Sequence, residues 1–289
     1  MSVSSRIDQA LRTAVTLATT AGCPPRLAEA LDYAVFPGGA RVRPRLCLAV
    51  AGACGDDAPV LADAAAAAIE LLHCASLVHD DLPCFDDAPL RRGKPSVHRA
   101  FGERLAVLVG DAMIVLAFQT LARGATARPE RLAPLLLTIG ESVGMPLGIA
   151  AGQAWECEPR VSLSAYHHAK TGSLFVAACV AGAQAAGADP APWRGVGECL
   201  GEAYQVADDL RDALCDVAEL GKPVQRDAQL GRPSAVEELG VEGAAQRLRD
   251  LVAAAVAQVP ACPGADALKA LIAGESARIL PKELASRAA

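Results

Sequence analysis

Aromatic residues make up only 3% of this 289-residue chain, and no segment alternates apolar and polar residues for more than a few positions. Without β-branched or aromatic runs at period two, a sheet-based fold is a poor fit. Basic excess is also missing. The 27 Lys and Arg against 33 Asp and Glu leave a net charge of −6, which gives no electrostatic footprint for nucleic acid. The ten cysteines form no CxxC pair and no recurring short spacing, so neither a disulfide framework nor a zinc site is indicated and reduced thiols are expected. The first residues carry Arg6, Asp8 and Arg12, unlike a secretory leader. Apolar stretches such as 105–118 hold Asp111 and fall short of the roughly 18 residues that a membrane span needs. No membrane span and a cytoplasmic protein are therefore expected. With 52% apolar and 21% charged residues, disorder is excluded as well.

What is present is helical. Alanine is about a fifth of the chain, and turn signals recur every 15–25 residues. The spacing predicts helices over 4–20, 26–36, 44–53, 59–80, 102–123, 129–143, 146–156, 163–169, 170–186, 192–216, 235–258 and 264–282. Gly22 with Pro24-Pro25, Pro37-Gly38-Gly39, Gly55-Asp56-Asp57 and Pro83 act as stops. The segments 59–80 and 170–186 are apolar on nearly every face and should be central helices. A basic loop is expected at 88–98. No fixed-period repeat and no Pro/Ser/Gly-rich linker divides residues 1–289, so a single all-α domain is expected.

Two acidic clusters interrupt this pattern. The first, His79-Asp80-Asp81-Leu82-Pro83-Cys84-Phe85-Asp86-Asp87, places four carboxylates within eight residues at the end of the most apolar predicted helix. Aspartates there oppose the helix dipole, so capping does not explain them. The second, Gln205-Val206-Ala207-Asp208-Asp209-Leu210-Arg211-Asp212, puts Asp208 and Asp212 on one helix face at i, i+4. Each needs a compensating cation. Carboxylates dense in sequence, without cysteine or spaced histidine ligands, suit a hard cation such as magnesium rather than zinc. The D-x-D-x-D-G spacing of a calcium loop is absent.

Basic residues recur beside them at Arg41-Val42-Arg43, Arg91-Arg92-Gly93-Lys94, Lys170-Thr171-Gly172 and Gly221-Lys222. Each alone reads as a solvated surface. Together with magnesium-binding carboxylates they imply a phosphate or diphosphate held between the two sets. His79 and His98 read as hydrogen-bonding supports, and the cysteines, Cys74 and Cys84 included, as small core residues.

These motifs resemble those of the trans-isoprenyl diphosphate synthase family. Asp80–Asp86 matches its first aspartate motif, DDxxxxD, and Asp208–Asp212 its second, DDxxD. Leu71–His79, Arg91–Pro95, Lys170-Thr171-Gly172 and Tyr204-Gln205 fall in the family's order, and the resemblance covers about residues 28–235. Gly152-Gln153-Ala154-Trp155-Glu156 and Cys262-Pro263-Gly264 further resemble geranylgeranyl diphosphate synthases of the bacterial carotenoid and bacteriochlorophyll type.

The resemblance implies an isoprenoid-synthase-like helical bundle around a deep central cavity, and a homodimer. It implies head-to-tail condensation of isopentenyl diphosphate with allylic diphosphates, with about three Mg²⁺ ions held by Asp80, Asp86 and Asp208. Asp81, Asp209 and Asp212 would be flanking ligands or supports. Arg91, Lys170 and Lys222 would hold the allylic diphosphate, and Arg43, His73 and Arg92 the isopentenyl diphosphate. Thr171 and Gln205 would face the carbocation. Ala75, five residues before the first aspartate, and its neighbour Ser76 would set product length, and the small side chains imply twenty carbons.

One departure is Ala40, where the family has lysine; Arg41 or Arg45 is expected to substitute in part. Three alternatives stay open: a farnesyl diphosphate synthase, a non-catalytic regulatory homologue that binds a synthase partner, and a terpene cyclase. The second DDxxD weighs against the last.

Overall fold

A computed structural model describes residues 1–36, 39–159, 166–214 and 234–279. These residues form twelve α-helices: α1 (Val3–Ala18), α2 (Pro25–Val35), α3 (Val42–Ala53), α4 (Pro59–Asp80), α5 (Val97–Phe101), α6 (Glu103–Gly124), α7 (Leu132–Val143), α8 (Ile149–Ala154), α9 (Ser173–Ala185), α10 (Trp193–Leu214), α11 (Ala235–Gln258) and α12 (Ala265–Ile279). The all-α expectation holds, and most helix ends fall within two or three residues of the stops named above. The basic loop differs. Leu90–Arg91 and Lys94–Pro95 pair antiparallel in a two-residue hairpin, the β1–β2 ribbon. Its turn residues Arg92 and Gly93 have φ of 54° and 75°, the doubly positive geometry of a tight hairpin turn.

The chain falls into two compact units. The first comprises residues 1–139 and 181–188, the second 140–180 and 189–289, so α9 begins in the second and ends in the first.

In the first unit α4 is the central element and packs against α1, α3 and α6. Pro59 starts it within the first turn, where a missing N–H costs nothing. Fourteen of its 22 residues are buried, including the Ala64–Ala68 run and even Glu70. Arg6 on α1 locks this arrangement from outside, donating to Asp63 at 2.8 Å and Asp56 at 3.1 Å.

In the second unit α10 packs against α11. Ala203, Val206, Ala207 and Leu210 close on Ala244, Ala245, Leu248 and Leu251. Burying that stripe leaves Asp208 and Asp212 at its margin, both half-buried. Ser234 caps α11, its Oγ accepting from the Glu237 N–H at 3.2 Å.

Helix α6 falls within one residue of the expected 102–123. Its apolar length corrects one expectation, since both α4 and α6 are long and apolar enough to cross a membrane by length and composition. The α4 window is mostly buried inside the fold, whereas less than half of the α6 window is.

Candidate functional site

The first aspartate cluster sits where α4 ends. Asp80 is the last helical residue and Asp81 follows as its cap. The Leu82–Phe85 turn brings the chain back, so that the Asp86 N–H donates to the Asp80 carbonyl at 2.9 Å and the Ala88 N–H to the Asp81 carbonyl at 3.2 Å. The four-residue interval of DDxxxxD is thus a closed loop that returns Asp86 to the backbone of Asp80.

The neighbouring aspartates divide their tasks. Asp81 is 2% exposed and takes both arms of the Arg91 fork, with Nε donating to Oδ1 at 2.9 Å and Nη2 closing on the same oxygen. Burial pushes its carboxyl up, and Arg91 opposes that rise. Asp81 therefore positions Arg91, whose Nη2 also lies 3.7 Å from Asp80. The cation that the acidic cluster needs is Arg91. Asp87 is half-exposed and pairs with Arg99 at 2.9 Å and His98 Nε2 at 3.5 Å.

A second basic group lies further down α4. Arg43, buried near the start of α3, donates from Nη1 to His73 Nε2 at 3.5 Å. Burial, then the positive charges of Arg43, Arg92, Arg91 and Arg41, push the His73 imidazole well below its usual range. It is a neutral acceptor. The Arg92 guanidinium lies against Gly39, where a Cβ would come within 2.8 Å of it, so only glycine lets Arg92 reach that place. Arg43, His73, Arg91 and Arg92 thus share one positive field in the first unit.

That field predicts a pH response. The folded pKa of His73 is depressed, so the unfolded chain binds the extra proton as pH falls through about 6.5. Stability is then lost on acidification with a limiting slope of about 1.4 kcal/mol per pH unit from this group. Urea unfolding of the protein and of His73→Gln between pH 7.5 and 5.5 checks this. The variant should show the shallower loss, and parallel curves would contradict the assignment.

Of the two arginines expected to substitute for the missing lysine, Arg41 is otherwise engaged. Its guanidinium donates to Glu70 Oε1 at 2.6 Å and to the Val35 carbonyl at 2.7 Å. It is committed to the core and cannot stand in for the lysine absent at exposed Ala40. Of the two cysteines named as core residues, one departs from that reading. Cys74 is buried with its thiol pushed up to about 12 by burial, as a core residue should be. Cys84, in contrast, is exposed in the Leu82–Phe85 turn. His79 is a support as expected, its Nε2 donating to the Val107 carbonyl at 3.3 Å.

In the second unit Lys170 and Thr171 lie in a π-helical turn, His168–Gly172, ahead of α9 rather than on its first turn. Lys170 Nζ is 2.6 Å from Glu156 Oε1, which also accepts from the Tyr166 hydroxyl at 2.6 Å. Gly152 lets the backbone there approach, because a Cβ at that position would lie 2.6 Å from the Lys170 backbone nitrogen. Tyr166 and the pairing role of Glu156 were not assigned from sequence, although the Gly152–Glu156 motif was the available signal.

Thr171 Oγ1 donates to Gln205 Oε1 at 2.9 Å, and Gln205 Nε2 donates to Asp209 Oδ1 at 2.9 Å. Asp209 Oδ2 accepts the Ala235 N–H, the first of α11, at 2.8 Å. This relay fixes which end of Gln205 faces Thr171 and ties the second motif to the α11 N-terminus. Asp208 pairs with Arg211 at 3.3 Å, so the second cluster also has its cation. Lys222 lies outside the described residues.

Among the described residues no three His, Cys, Asp or Glu side chains converge as a ready-made metal cage. The donors on offer, Asp80, Asp86, Asp208 and Asp212, are all carboxylates. The carboxylates of each motif taken by itself fit Mg²⁺, which retains waters and takes one or two carboxylates with substrate phosphates supplying the rest. A cavity of about 320 Å³, between α1, α4 and α6, is lined by Leu17, Val60 and Ala64 and holds none of these residues.

Comparison with known proteins agrees with the motifs. The polyprenyl synthetase family profile matches residues 24–267. The chain is 55% identical over 287 residues to a geranylgeranyl diphosphate synthase of Cereibacter sphaeroides, covering 99% of this chain and 100% of that protein. It is 52% identical over 264 residues to one from Rhodobacter capsulatus, covering 91% of each. Among solved structures, a geranyltransferase from Helicobacter pylori complexed with magnesium and isoprenyl diphosphate superposes with a TM-score of 0.79 at 28% identity, over 94% of this chain and 96% of that one. Matched in profile over most of its length and in sequence from end to end, the chain belongs to the polyprenyl synthetase family.

Proposed function

We propose that this chain is a trans-prenyltransferase that joins isopentenyl diphosphate head to tail to allylic diphosphates and releases geranylgeranyl diphosphate. The observation that carries the reading is the pairing of two carboxylate motifs, each supplied with its own cation, in a chain 55% identical to a geranylgeranyl diphosphate synthase. We read residues 1–289 as one synthase domain.

Asp80 and Asp86 of the first motif and Asp208 of the second, with Asp212 one helical turn from Asp208, would hold Mg²⁺, for which we retain about three ions. The metal, when bound, neutralises charge on the diphosphate. Arg91, oriented by Asp81, grips the allylic diphosphate together with Lys170 and Lys222. For Lys170 this requires exchanging its Glu156 partner for phosphate oxygens. Arg43, neutral His73 and Arg92 hold the isopentenyl diphosphate.

The allylic carbon–oxygen bond breaks heterolytically, its electron pair leaving with the diphosphate. Thr171 and Gln205, fixed by their mutual hydrogen bond, present oxygen dipoles to the carbocation without a nucleophilic charge. The isopentenyl double bond attacks the cation, and the departing diphosphate accepts the proton lost from the adjacent carbon. No histidine base is required, which suits a His73 held neutral as an acceptor.

Partner and location follow the same reading. Val107, Leu108 and Val115 are exposed large apolar residues on α6, which supports a homodimer built on that face. The nine described cysteines are free thiols, as a cytoplasmic protein would keep them.

Turnover by the purified chain alone tests this. Isopentenyl and geranyl diphosphates should be consumed with release of inorganic diphosphate when Mg²⁺ is present, and chelation should abolish it. Turnover only after adding a second protein would instead favour the regulatory homologue. Within this reading, exposed Ala40 leaves the isopentenyl subsite one cation short. Ala40→Lys should lower the isopentenyl diphosphate KM by about 5–10-fold, as one partly exposed charge-assisted contact would, with kcat nearly unchanged. An unchanged KM in initial-rate assays would contradict this.

A further inference from the structure

We infer that the buried Arg41–Glu70 ion pair is a positioning latch that holds Arg43 on His73 and thereby sets affinity for isopentenyl diphosphate. The inference rests on reading Arg43 and His73 as the grip for that substrate.

Two rungs join the start of α3 to α4. The outer rung is Arg43 Nη1 to His73 Nε2 at 3.5 Å. The inner one is Arg41 Nη1 to Glu70 Oε1 at 2.6 Å. Glu70 and His73 are three residues apart on α4 and so share a face. Arg41 and Arg43 are two apart across the α3 N-terminus. Arg41 is the residue before the helix and stands in the left-handed region at φ 50°, ψ 38°. A residue with a Cβ adopts that conformation only where its surroundings enforce it.

What enforces it is visible. The guanidinium is locked by Glu70 and by the Val35 carbonyl at 2.7 Å, and the Glu70 side chain is only 2% exposed. From that kinked position the Arg41 carbonyl accepts the Arg45 N–H at 3.1 Å and begins the turn that carries Arg43 inward. Neither member of the inner rung need touch substrate. A buried pair of this kind is weak evidence for added stability. Its geometric consequence is to fix the entry angle of α3, and with it the reach of Arg43.

Steady-state kinetics of four variants, with thermal melts of each, test the latch. Glu70→Gln should raise the isopentenyl diphosphate KM about 10-fold, while the allylic KM changes less than about 2-fold. Removing both charges in Arg41→Met/Glu70→Leu should restore the melting temperature without restoring the isopentenyl KM, because the kink is no longer held. Glu70→Asp should recover much of the KM. A parallel rise of both KM values, or a double variant that regains KM along with its melting temperature, would overturn the latch. Arg43→Gln separates the two levels. If it raises the isopentenyl KM while Glu70→Gln does not, the latch alone fails; if Arg43→Gln leaves that KM unchanged, the subsite reading falls and the latch with it.

Discussion

Asp80→Asn and Asp208→Asn are each expected to lower kcat by about 10²–10³-fold, the usual cost of removing one group that stabilises developing charge. Asparagine keeps the shape and removes the charge that a hard cation requires. Asp80 ends α4 beside Arg91, and Asp208 lies at the margin of the α10–α11 packing stripe, so neither change opens a cavity.

Asp81→Asn should behave differently, although it is adjacent in sequence. It leaves the Arg91 fork with only Asp80, 3.7 Å away, as counter-charge, and losing the buried partner costs up to about 3 kcal/mol. Its signature is a lower melting temperature with a raised allylic KM. Initial rates at saturating Mg²⁺ alongside calorimetry distinguish the two classes. If Asp80→Asn and Asp81→Asn gave the same kinetic and thermal profile, the division of labour between them would be wrong.

Product length should move with Ser76 more cleanly than with Ala75. At about 100° per residue, Ser76 lies one turn before Asp80 on nearly the same face of α4, about 6 Å lower, whereas Ala75 is turned well away. The burial agrees: Ser76 is half-buried, its hydroxyl bonded to the His73 carbonyl at 2.8 Å, while Ala75 is 1% exposed. A phenyl ring at Ser76 would stand beneath the reacting diphosphate as a floor. Ser76→Phe is expected to shift the main product from twenty to fifteen carbons with the fold retained.

Ala75→Tyr forces a ring into packed space. It should first cost stability, by about 1–3 kcal/mol or more, whatever it does to chain length. Mass spectra of the products together with melting temperatures check both. A twenty-carbon product from Ser76→Phe, with fifteen carbons from a fully stable Ala75→Tyr, would reverse the assignment.

The helices were legible because their boundaries are local. Pro59, Pro83 and the Gly55 turn act on the backbone within a residue or two, and the alanine run of α4 needs no partner to declare itself buried. The aspartate motifs were legible as motifs. What spacing could not give was the use of each carboxylate. Asp81 is occupied by Arg91, ten residues on, and Asp209 by the first N–H of α11, 26 residues on. Glu70 drew no notice within the apolar segment 59–80, because its partner Arg41 is 29 residues away on another element.

The hairpin at 90–95 was missed for a related reason. Two-residue strands carry no periodicity, and the turn signal was one glycine preceded by an arginine in a strained conformation. The apolar length of α6 was underestimated because Asp111 was read as an interruption, whereas a long helix carries one exposed carboxylate at little cost.

The measurement closest to the central claim is product analysis by mass spectrometry after incubating the purified chain with Mg²⁺, isopentenyl diphosphate and farnesyl diphosphate. The account predicts a twenty-carbon diphosphate, with one inorganic diphosphate released per condensation. No condensation, or elongation from shorter starters that ends at fifteen carbons with farnesyl diphosphate left unused, would contradict it.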